Sequence, residues 1–374
     1  MRILHFTRSY TVHDKRFLDA LAGTAHEVFL LCLHRGGSLM GEFPPAAAIN
    51  TSIPALSQEP VTEPEDCLPL MPLFDKIVGD LKPDLIQAGP LQSCGFMAAL
   101  SGKSPLLAMS WGYDILYDAA RDEKMRWIAG WTLKRAGHLL CDCLTVKKEA
   151  CEISGIPSED VTQFPWGIDL ESFSPGKAKL REKLGWEDSF VILTMRSWEE
   201  LYGTETVLEA FRLAQKQEPR LRLLMPGDGS QREMLRAFLS KNKIDEFVYC
   251  PGLVPNETLP EYFRTADAYL SCSHCDGSSI SLLEALASGL PALVSELPGN
   301  REWITPAVNG FLAKAGDAGD FASGLMLLSQ LPKEERNEIA LRNRRMVEER
   351  ADWKRNFPKL LDSYGKCIAK KRAK

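Results

Sequence analysis

The sequence predicts an α/β protein with two domains, each built on a parallel β-sheet. In both halves of the 374-residue chain, short apolar runs alternate with helix-like segments, as in parallel sheets covered by helices. A linker-like stretch near Glu171–Leu184 separates the halves, and the chain is longer than most single domains. Two such domains would face a cleft, where small molecules usually bind.

Each half contains five predicted strands. In the first half the strands are Arg2–Thr7, Glu27–Leu33, Asp84–Ala88, Leu106–Ser110 and Leu139–Leu144, with helices at Phe17–Ala22, Cys94–Leu100 and Lys147–Ser154. In the second half they are Phe190–Thr194, Leu221–Met225, Phe247–Cys250, Ala266–Leu270 and Pro291–Ser295, with helices at Glu205–Gln217, Gln231–Asn242 and Glu257–Thr265. Asn309-Gly310 predicts a tight turn. We expect domains at residues 1–170 and 188–350, a linker at 171–187 and a C-terminal segment at 351–374.

Composition indicates a cytoplasmic protein that does not bind nucleic acid. The chain carries 45 basic and 50 acidic residues, a formal net charge of -5, which disfavours nucleic acid as the main partner. Its N-terminus has no signal-peptide pattern, and no apolar stretch reaches the ~20 residues that span a bilayer. The ten cysteines are then expected to be reduced. Cys141/Cys143 and Cys272/Cys275 could ligate zinc, but they lack the usual partner pairs at short spacing, so we expect no metal site.

The stretch Arg121–Arg135 leaves two interpretations open. It combines basic residues with Trp127 and Trp131, a pattern that indicates peripheral contact with an anionic membrane on its inner face. The basic tail Lys366–Lys374 would add to that contact. The alternative, which the sequence favours, is a surface helix of the domain that buries its tryptophans in the core.

The most informative stretch is Asp276–Leu286, which predicts a polar turn leading from a strand into a helix. A helix start offers unpaired backbone N–H groups and partial positive charge, so Gly277, Ser278, Ser279 and Ile280 form a natural phosphate site. Glu284 lies one turn into the helix among apolar neighbours, where an unpaired carboxylate is costly. A phosphate site beside a carboxylate that accepts hydrogen bonds suits a nucleotide with a ribose diol. The alternative is an ordinary amphipathic helix whose Glu284 pairs with a basic side chain.

Arg196 is the second candidate for phosphate binding. It follows a predicted strand, and its planar guanidinium matches oxyanion geometry. An ion pair of Arg196 with Glu199 or Glu200 is equally compatible with the sequence. Neither a P-loop nor a dinucleotide fingerprint is present, since Gly227-x-Gly229 lacks the third glycine.

These residues carry a family resemblance. Asp276-x7-Glu284 followed by Gly289-Leu290-Pro291 resembles an E-x7-E motif with its trailing A-x-G-x-P, and Arg196 with Gly203 resembles "G-R…K-G". Together with Asn309-Gly310-Phe311-Leu312 and the Lys134–Pro175 run, they make the chain similar to retaining glycosyltransferases of the GT-B fold, the family 4 class. The similarity covers nearly the whole chain.

The resemblance implies a role for each of these residues. Asp276, Arg196 and Glu284 would be catalytic, holding the transferred sugar, the leaving diphosphate and the ribose of the donor. The donor would further contact Gly277, Ser278, Ser279, Ile280, Leu253, Val254 and Tyr202. The acceptor would bind the loops that hold Tyr10, His13, Arg16, Trp111 and Asp114. The C-terminal helix would cross back to the N-terminal domain, and neither metal nor cofactor would be needed.

Three positions depart from the family pattern. Asp276 replaces a Glu that is one methylene longer, Tyr202 replaces a phosphate-binding Lys, and Trp111 replaces a His. The missing Lys charge would have to come from Arg8, Arg16 or Arg301. The leading expectation is a hexosyltransferase that moves sugar from a nucleotide-sugar donor to a glycan or lipid-linked glycan. The alternatives are a catalytically weakened binding or scaffold subunit and a nucleotide-sugar epimerase, for which no acid/base pair is evident.

Overall fold

The computed structural model describes residues 1–35, 40–41 and 43–372, and the chain divides into two compact units. The first unit comprises Met1–Phe164 together with Phe357–Lys374, and the second comprises Pro165–Asn356. The unit boundary therefore lies at residue 164, where the sequence placed a domain end at 170. Residues 373 and 374 of the predicted basic tail lie outside the described part of the chain.

Six strands among the described residues of the first unit form one parallel sheet in the order β2-β1-β3-β4-β5-β6. They are β1 (Arg2–Thr7), β2 (Glu27–Cys32), β3 (Leu85–Gly89), β4 (Leu106–Met109), β5 (His138–Cys141) and β6 (Val161–Gln163). Most of their residues are buried, as expected of a sheet covered on both faces. The sequence missed β6, which at three residues is too short to show a hydrophobic pattern.

Several helices of the first unit begin at a side chain that caps them. They are α1 (Val12–Ala22), α2 (Met71–Leu81), α3 (Phe96–Ser101), α4 (Ala119–Arg121), α5 (Glu123–Arg135) and α6 (Leu144–Ser154). Helix α1 starts five residues earlier than predicted because Thr11 and Asp14 form a capping box. Helix α6 begins at Leu144, a residue that the sequence assigned to a strand. It begins there because Cys143 Sγ accepts a hydrogen bond from Val146 N at 3.4 Å.

The described residues of the second unit form another six-stranded parallel sheet, in the order β12-β11-β10-β7-β8-β9. The strands are β7 (Phe190–Leu193), β8 (Leu221–Leu224), β9 (Val248–Tyr249), β10 (Ala268–Ser271), β11 (Ala292–Ser295) and β12 (Gly310–Ala313). The order is the one typical of dinucleotide-binding folds. The sequence predicted only a turn at Asn309-Gly310, whereas Gly310 begins a strand that pairs with β11.

The remaining helices surround the second sheet or close the chain. They are α7 (Leu180–Lys183), α8 (Thr204–Gln215), α9 (Arg232–Asn242), α10 (Leu259–Thr265), α11 (Ile280–Ala287), α12 (Pro298–Arg301), α13 (Ala318–Gln330), α14 (Lys333–Arg350) and α15 (Trp353–Arg372). From Phe357 onward, α15 belongs to the first unit. There Tyr364 Oη donates a hydrogen bond to Gln87 Oε1 at 2.6 Å, which ties the helix to the middle of β3.

Candidate functional site

The loops after β7 and β10 meet where the winding of the second sheet reverses. β7 has β8 on one side and β10 on the other, and β10 leads on to β11. In open α/β sheets such a switch point forms a crevice in which ligands bind. Arg196 lies in the first loop and Asp276–Ser279 in the second, so the topology unites residues that are far apart in sequence.

The Arg196 guanidinium is held from three sides. Its Nη1 donates to Ser279 Oγ at 2.8 Å, and its Nη2 lies 3.2 Å from Asp276 Oδ2. Its Cζ lies 4.1 Å from the centre of the Tyr202 ring, a distance typical of a cation–π contact. The alternative partner Glu199 is engaged elsewhere, since its carboxylate accepts from Ser230 N at 2.9 Å.

Arg196 and Asp276 form a buried ion pair, with side chains only 14% and 12% exposed. Burial raises the pKa of Asp276, although the Arg196 guanidinium opposes the rise. Burial lowers the pKa of Arg196, but the Asp276 carboxylate together with Tyr202 and Tyr269 outweighs this, and the net pKa is raised. The guanidinium therefore stays charged. Asp276 Oδ2 forms no well-aligned hydrogen bond in this contact. The two residues therefore attract each other by charge, but the geometry of the contact is not that of a good hydrogen bond.

The first turn of α11 has no side-chain cap. Ser279 occupies the N-cap position without capping the helix, and its Oγ instead accepts from Arg196. Ser278 Oγ accepts from Trp303 Nε1 at 3.2 Å, and Ser281 Oγ lies 2.7 Å from Tyr269 Oη. These contacts hold the turn so that its backbone N–H groups and Arg196 together suit an oxyanion.

Glu284 lies on a helix that is buried on all sides. Every residue from Ser281 to Ala287 is buried, and Glu284 itself is 5% exposed. This burial contradicts the amphipathic helix of the alternative interpretation. A carboxylate in such a position needs polar partners, which agrees with the expected role of a hydrogen-bond acceptor.

The loop after β7 packs directly on the loop after β10. His274 N donates to Leu201 O at 2.9 Å. Gly203 has a φ of +67°, and a Cβ at this position would lie 2.2 Å from Cys272 O. Only glycine allows both the left-handed backbone and this close approach. The contact fixes Tyr202, the residue before it, against Arg196.

The predicted base-side residues lie in the loop after β9. Leu253 is 68% exposed, whereas Val254 packs on the apolar cluster that contains Tyr262 and Leu282. Gly227 N donates to the carbonyl of Gly252 at 2.9 Å, so this loop adjoins the one that follows β8.

In the first unit, two predicted acceptor-side residues are fully buried. Tyr10 Oη donates to Phe43 O at 2.9 Å. Asp114 accepts from Ser110 Oγ at 2.6 Å and from Leu91 N at 3.1 Å, and burial raises its pKa to about 6. Neither side chain presents surface to a ligand, so we assign both a role in holding the loops.

The other acceptor-side residues are partly exposed. The rings of His13 and Trp111 lie 6.0 Å apart, and Phe17 packs edge-on against Trp111 at 6.3 Å. Arg16 is half-buried on α1. Trp111 follows β4, whereas His13 and Arg16 lie on α1 after β1 and not in a loop as the sequence predicted.

Sequence reasoning missed two contacts of the site. It treated Tyr202 as a lost lysine and did not foresee that its ring stacks on Arg196. It assigned nothing to Trp303, whose indole holds Ser278. No local pattern signals either contact, because both depend on which loops the sheet brings together.

Helix α5 differs from the favoured expectation of buried tryptophans. It buries Met125, Ile128 and Leu133 among others, while Trp127 is 61% exposed. Trp131 is half-buried, 6.2 Å from Trp127, with the Arg135 guanidinium carbon 3.7 Å from its ring centre. None of the helices in the described part of the chain combines the length and apolar character that crossing a membrane demands.

The cysteines show no disulfide or clustered metal ligands within the residues described. None of the ten cysteines, all of which lie in the described part of the chain, forms a disulfide. No group of three or more His, Cys, Asp or Glu side chains there could hold a metal ion. Cys141 and Cys143 lie in the first unit, whereas Cys272 and Cys275 lie in the second.

Comparison with known proteins identifies the second unit. Residues 176–346 match the family described as glycosyl transferases group 1. The chain is 31% identical over 182 residues to the amylovoran biosynthesis glycosyltransferase AmsK of Erwinia amylovora, a match that covers 47% of this chain and 44% of AmsK. It is 30% identical over 199 residues to the putative glycosyltransferase EpsD of Bacillus subtilis, covering 50% and 52%. The chain thus spans about half the length of these relatives.

The solved structures confirm the fold. Anabaena Alr3699/HepE, crystallised in complex with UDP-glucose, superposes with a TM-score of 0.80 at 18% identity, covering 97% of this chain and 100% of that one. The predicted α/β architecture of two Rossmann-like parallel-sheet units and its GT-B class are therefore confirmed. The predicted resemblance to group 1 glycosyltransferases is confirmed by the family match.

Proposed function

Because residues 176–346 belong to the glycosyl transferases group 1 family, we propose that the protein is a retaining glycosyltransferase of family 4. It moves a hexose from a nucleoside diphosphate-sugar to a glycan or lipid-linked glycan in cell-surface polysaccharide or glycolipid assembly. The observation that carries the proposal is the Arg196–Asp276–Ser279 cluster at the switch point of the second sheet. The names of AmsK and EpsD, and the UDP-glucose in the HepE structure, support the reaction class.

The cluster suits a diphosphate leaving group. When the bond between C1 and the diphosphate oxygen breaks, negative charge develops on that oxygen. Arg196 and the backbone N–H groups that begin α11 supply fixed positive charge for it without reorganisation. This supports a reaction that needs no resident metal or cofactor. Glu284 accepts hydrogen bonds from the ribose diol, and the loop at Leu253 and Val254 borders the base.

We take retention from the family resemblance, and the state of Asp276 bears on the route. Its carboxylate is buried and paired with Arg196, which makes it a poor nucleophile. We therefore favour attack by the acceptor hydroxyl on the face from which the diphosphate departs. A bond forms between the acceptor oxygen and C1, and the hydroxyl proton passes to the departing diphosphate oxygen. Asp276 orients the sugar.

Specific substitutions favour a second function, that of a nucleotide-sugar-binding or scaffold subunit. Tyr202 stands where the family has a phosphate-binding lysine. The cation that remains, Arg196, is already neutralised by Asp276. Trp111 likewise replaces a histidine. Less positive charge at the diphosphate would lower the rate more than it lowers donor binding.

A nucleotide-sugar screen tests the proposal. Purified protein is incubated with individual nucleoside diphosphate-sugars, with and without candidate acceptors, and products are measured by mass spectrometry. We expect release of nucleoside diphosphate for one donor class and a thermal shift that Glu284→Ala abolishes. Glu209→Gln, at a surface ion pair of α8, is the matched control and should keep both. Donor binding without release would support the scaffold function, and neither binding nor release would refute both.

We also propose that α5 contacts an anionic surface, which would place the enzyme at the cytoplasmic face of the membrane. Trp127 is 61% exposed and adjoins Trp131 and Arg135. Arg126 and Lys134 are exposed and have no ion-pair partner among the described residues. Exposed indoles flanked by basic side chains are typical of interfacial helices, and a lipid-linked acceptor would be presented there.

A further inference from the structure

The first sheet has a switch point of its own, between β1 and β3. β1 lies between β2 and β3, and the strands after β3 continue on the far side. The loops after β1 and β3 therefore border a crevice of the kind that binds ligands in open α/β sheets. Arg8 is the first residue after β1.

Arg8 is half-buried, and one of its N–H groups is unsatisfied. Its Nε is buried without a hydrogen-bond partner. Its closest ring is Tyr113, with the guanidinium carbon 6.0 Å from the ring centre. Arg8 takes part in none of the ion pairs among the described residues. The carboxylates of Asp118 and Asp114 act on it only through longer-range charge. A buried N–H group without an acceptor is costly, and a ligand that supplies an acceptor would remove this cost.

The neighbouring loop contributes a second unsatisfied group. Ser93 Oγ, in the turn after β3, is buried without a hydrogen-bond partner. Its neighbour Cys94 lies within electrostatic reach of Arg8. Arg8 and Ser93 follow adjacent strands, and a guanidinium together with a hydroxyl can bind a single oxyanion. The nearby carboxylates of Asp118 and Asp114 reduce the net positive charge around Arg8. A ligand with a single anionic group therefore fits better than a diphosphate.

We propose that the switch point of the first unit binds an oxyanion of the acceptor, a carboxylate or a phosphate, through Arg8. This assignment rests on the proposed function, because it treats the first unit as the acceptor side. It gives the acceptor a chemical class: a uronic-acid-bearing glycan or a phosphorylated carrier, rather than a neutral sugar. It also assigns Arg8 to the acceptor and not to the diphosphate of the donor.

Calorimetric titration of the 374-residue protein tests this proposal with two arms. Methyl glucuronoside is compared with methyl glucoside for the carboxylate arm, and inorganic phosphate with chloride at matched ionic strength for the phosphate arm. We expect glucuronoside or phosphate to bind wild type at least about tenfold more tightly than its comparison probe. Arg8→Met should weaken that binding about 10–100-fold, as expected for charge-assisted hydrogen bonds. Arg8→Lys, which keeps charge but loses the planar fork, should fall between them.

The matched control lies at the other end of the same strand. Arg2→Met removes the same charge from β1, where Arg2 pairs with Glu27 at the surface, and should leave probe binding unchanged. Equal losses in Arg8→Met and Arg2→Met would overturn the proposal, as would wild type that prefers neither glucuronoside nor phosphate. So would an Arg8→Lys or Arg8→Met protein that binds the probes normally but loses affinity for the nucleotide-sugar.

Titration of the nucleotide-sugar into the same proteins separates the two hypotheses. Wild type that binds nucleotide-sugar but neither anionic probe leaves the proposed function intact and refutes the Arg8 assignment. Wild type that binds no nucleotide-sugar refutes the proposed function, while the Arg8→Met and Arg2→Met comparison still decides whether the first unit has an anion site.

Discussion

Arg196 Nη2 lies 3.2 Å from Asp276 Oδ2, and both side chains are buried. The two residues occupy loops after neighbouring strands of one sheet, so the ion pair spans the switch point. Asp276 thus neutralises the Arg196 charge that the proposed diphosphate would use. Donor binding must then either displace Asp276 from Arg196 or share the guanidinium with it.

Removal of the Asp276 charge should destabilise the ligand-free protein. Asp276→Asn leaves a buried guanidinium without its counter-ion, and we expect a loss of about 3 kcal/mol in the free energy of unfolding in urea. Inorganic pyrophosphate should restore more stability to this variant than to wild type, because the anion replaces the lost charge. Glu209→Gln, which breaks the surface pair with Arg212, should cost under about 0.5 kcal/mol. A similar cost in both variants would contradict the prediction.

The Tyr202 ring should matter more than its hydroxyl. Tyr202→Phe keeps the face that stacks on Arg196 and should change kcat/KM for the donor by less than about twofold. Tyr202→Leu loses the cation–π contact and should lower kcat/KM about 5–30-fold, which corresponds to about 1–2 kcal/mol. A positioning role predicts that kcat falls while thermal stability changes little. If Phe and Leu behave alike in steady-state kinetics, the ring does not position Arg196.

Gly203 should tolerate alanine much less than a comparable glycine. Gly203 and Gly185 have φ values of +67° and +65°, so both variants incur the same left-handed strain. Only at Gly203 does the new Cβ meet another atom, Cys272 O at 2.2 Å. Gly185→Ala should cost about 1 kcal/mol of unfolding free energy and Gly203→Ala about 2–4 kcal/mol. Equal costs by chemical denaturation would show that the two loops can separate without penalty.

Asp114 should make the stability of the protein fall as pH rises through the mildly acidic range. Burial raises its pKa from 3.8 to about 6, so between these values the folded state holds a proton that the unfolded state has released. The free energy of unfolding should therefore decrease by up to about 3 kcal/mol from pH 4 to pH 7. Asp114→Asn cannot titrate, and its urea unfolding should lack this component. An unchanged pH profile in Asp114→Asn would assign the trend to other groups.

The exposed indoles of α5 should control binding to anionic vesicles. Changing Trp127 and Trp131 together to Ser should lower flotation with phosphatidylglycerol vesicles at least about tenfold, because both rings lose apolar burial at the interface. Leu341→Ser, at a 70% exposed apolar residue of the second unit, is the control and should float like wild type. High salt should weaken binding of every protein. Equal flotation of the tryptophan variant and wild type would rule α5 out as the contact.

The accuracy of the sequence predictions depended on whether a feature is local. β1 was predicted to the residue, because a buried parallel strand is a continuous apolar run. β12 was taken for a turn, because Gly310 is recognisable as a strand residue only from its pairing with Ala292. The Asp276–Ser279 turn and the buried Glu284 were found from the order of small, polar and apolar residues along one segment.

The sequence by itself determined the two-sheet α/β class, most elements and the Asp276–Ser279 turn that we propose as an oxyanion site, because period and local composition encode them. Only the tertiary structure decided which partners those residues have. It paired Arg196 with Asp276 and Tyr202 rather than Glu199, buried Tyr10 and Asp114, and exposed Trp127. The physical reason is that contacts between loops depend on strand order, and strand order depends on the packing of the whole sheet. The Asp276 turn could thus be located in the sequence, but its neutralisation of Arg196 could not.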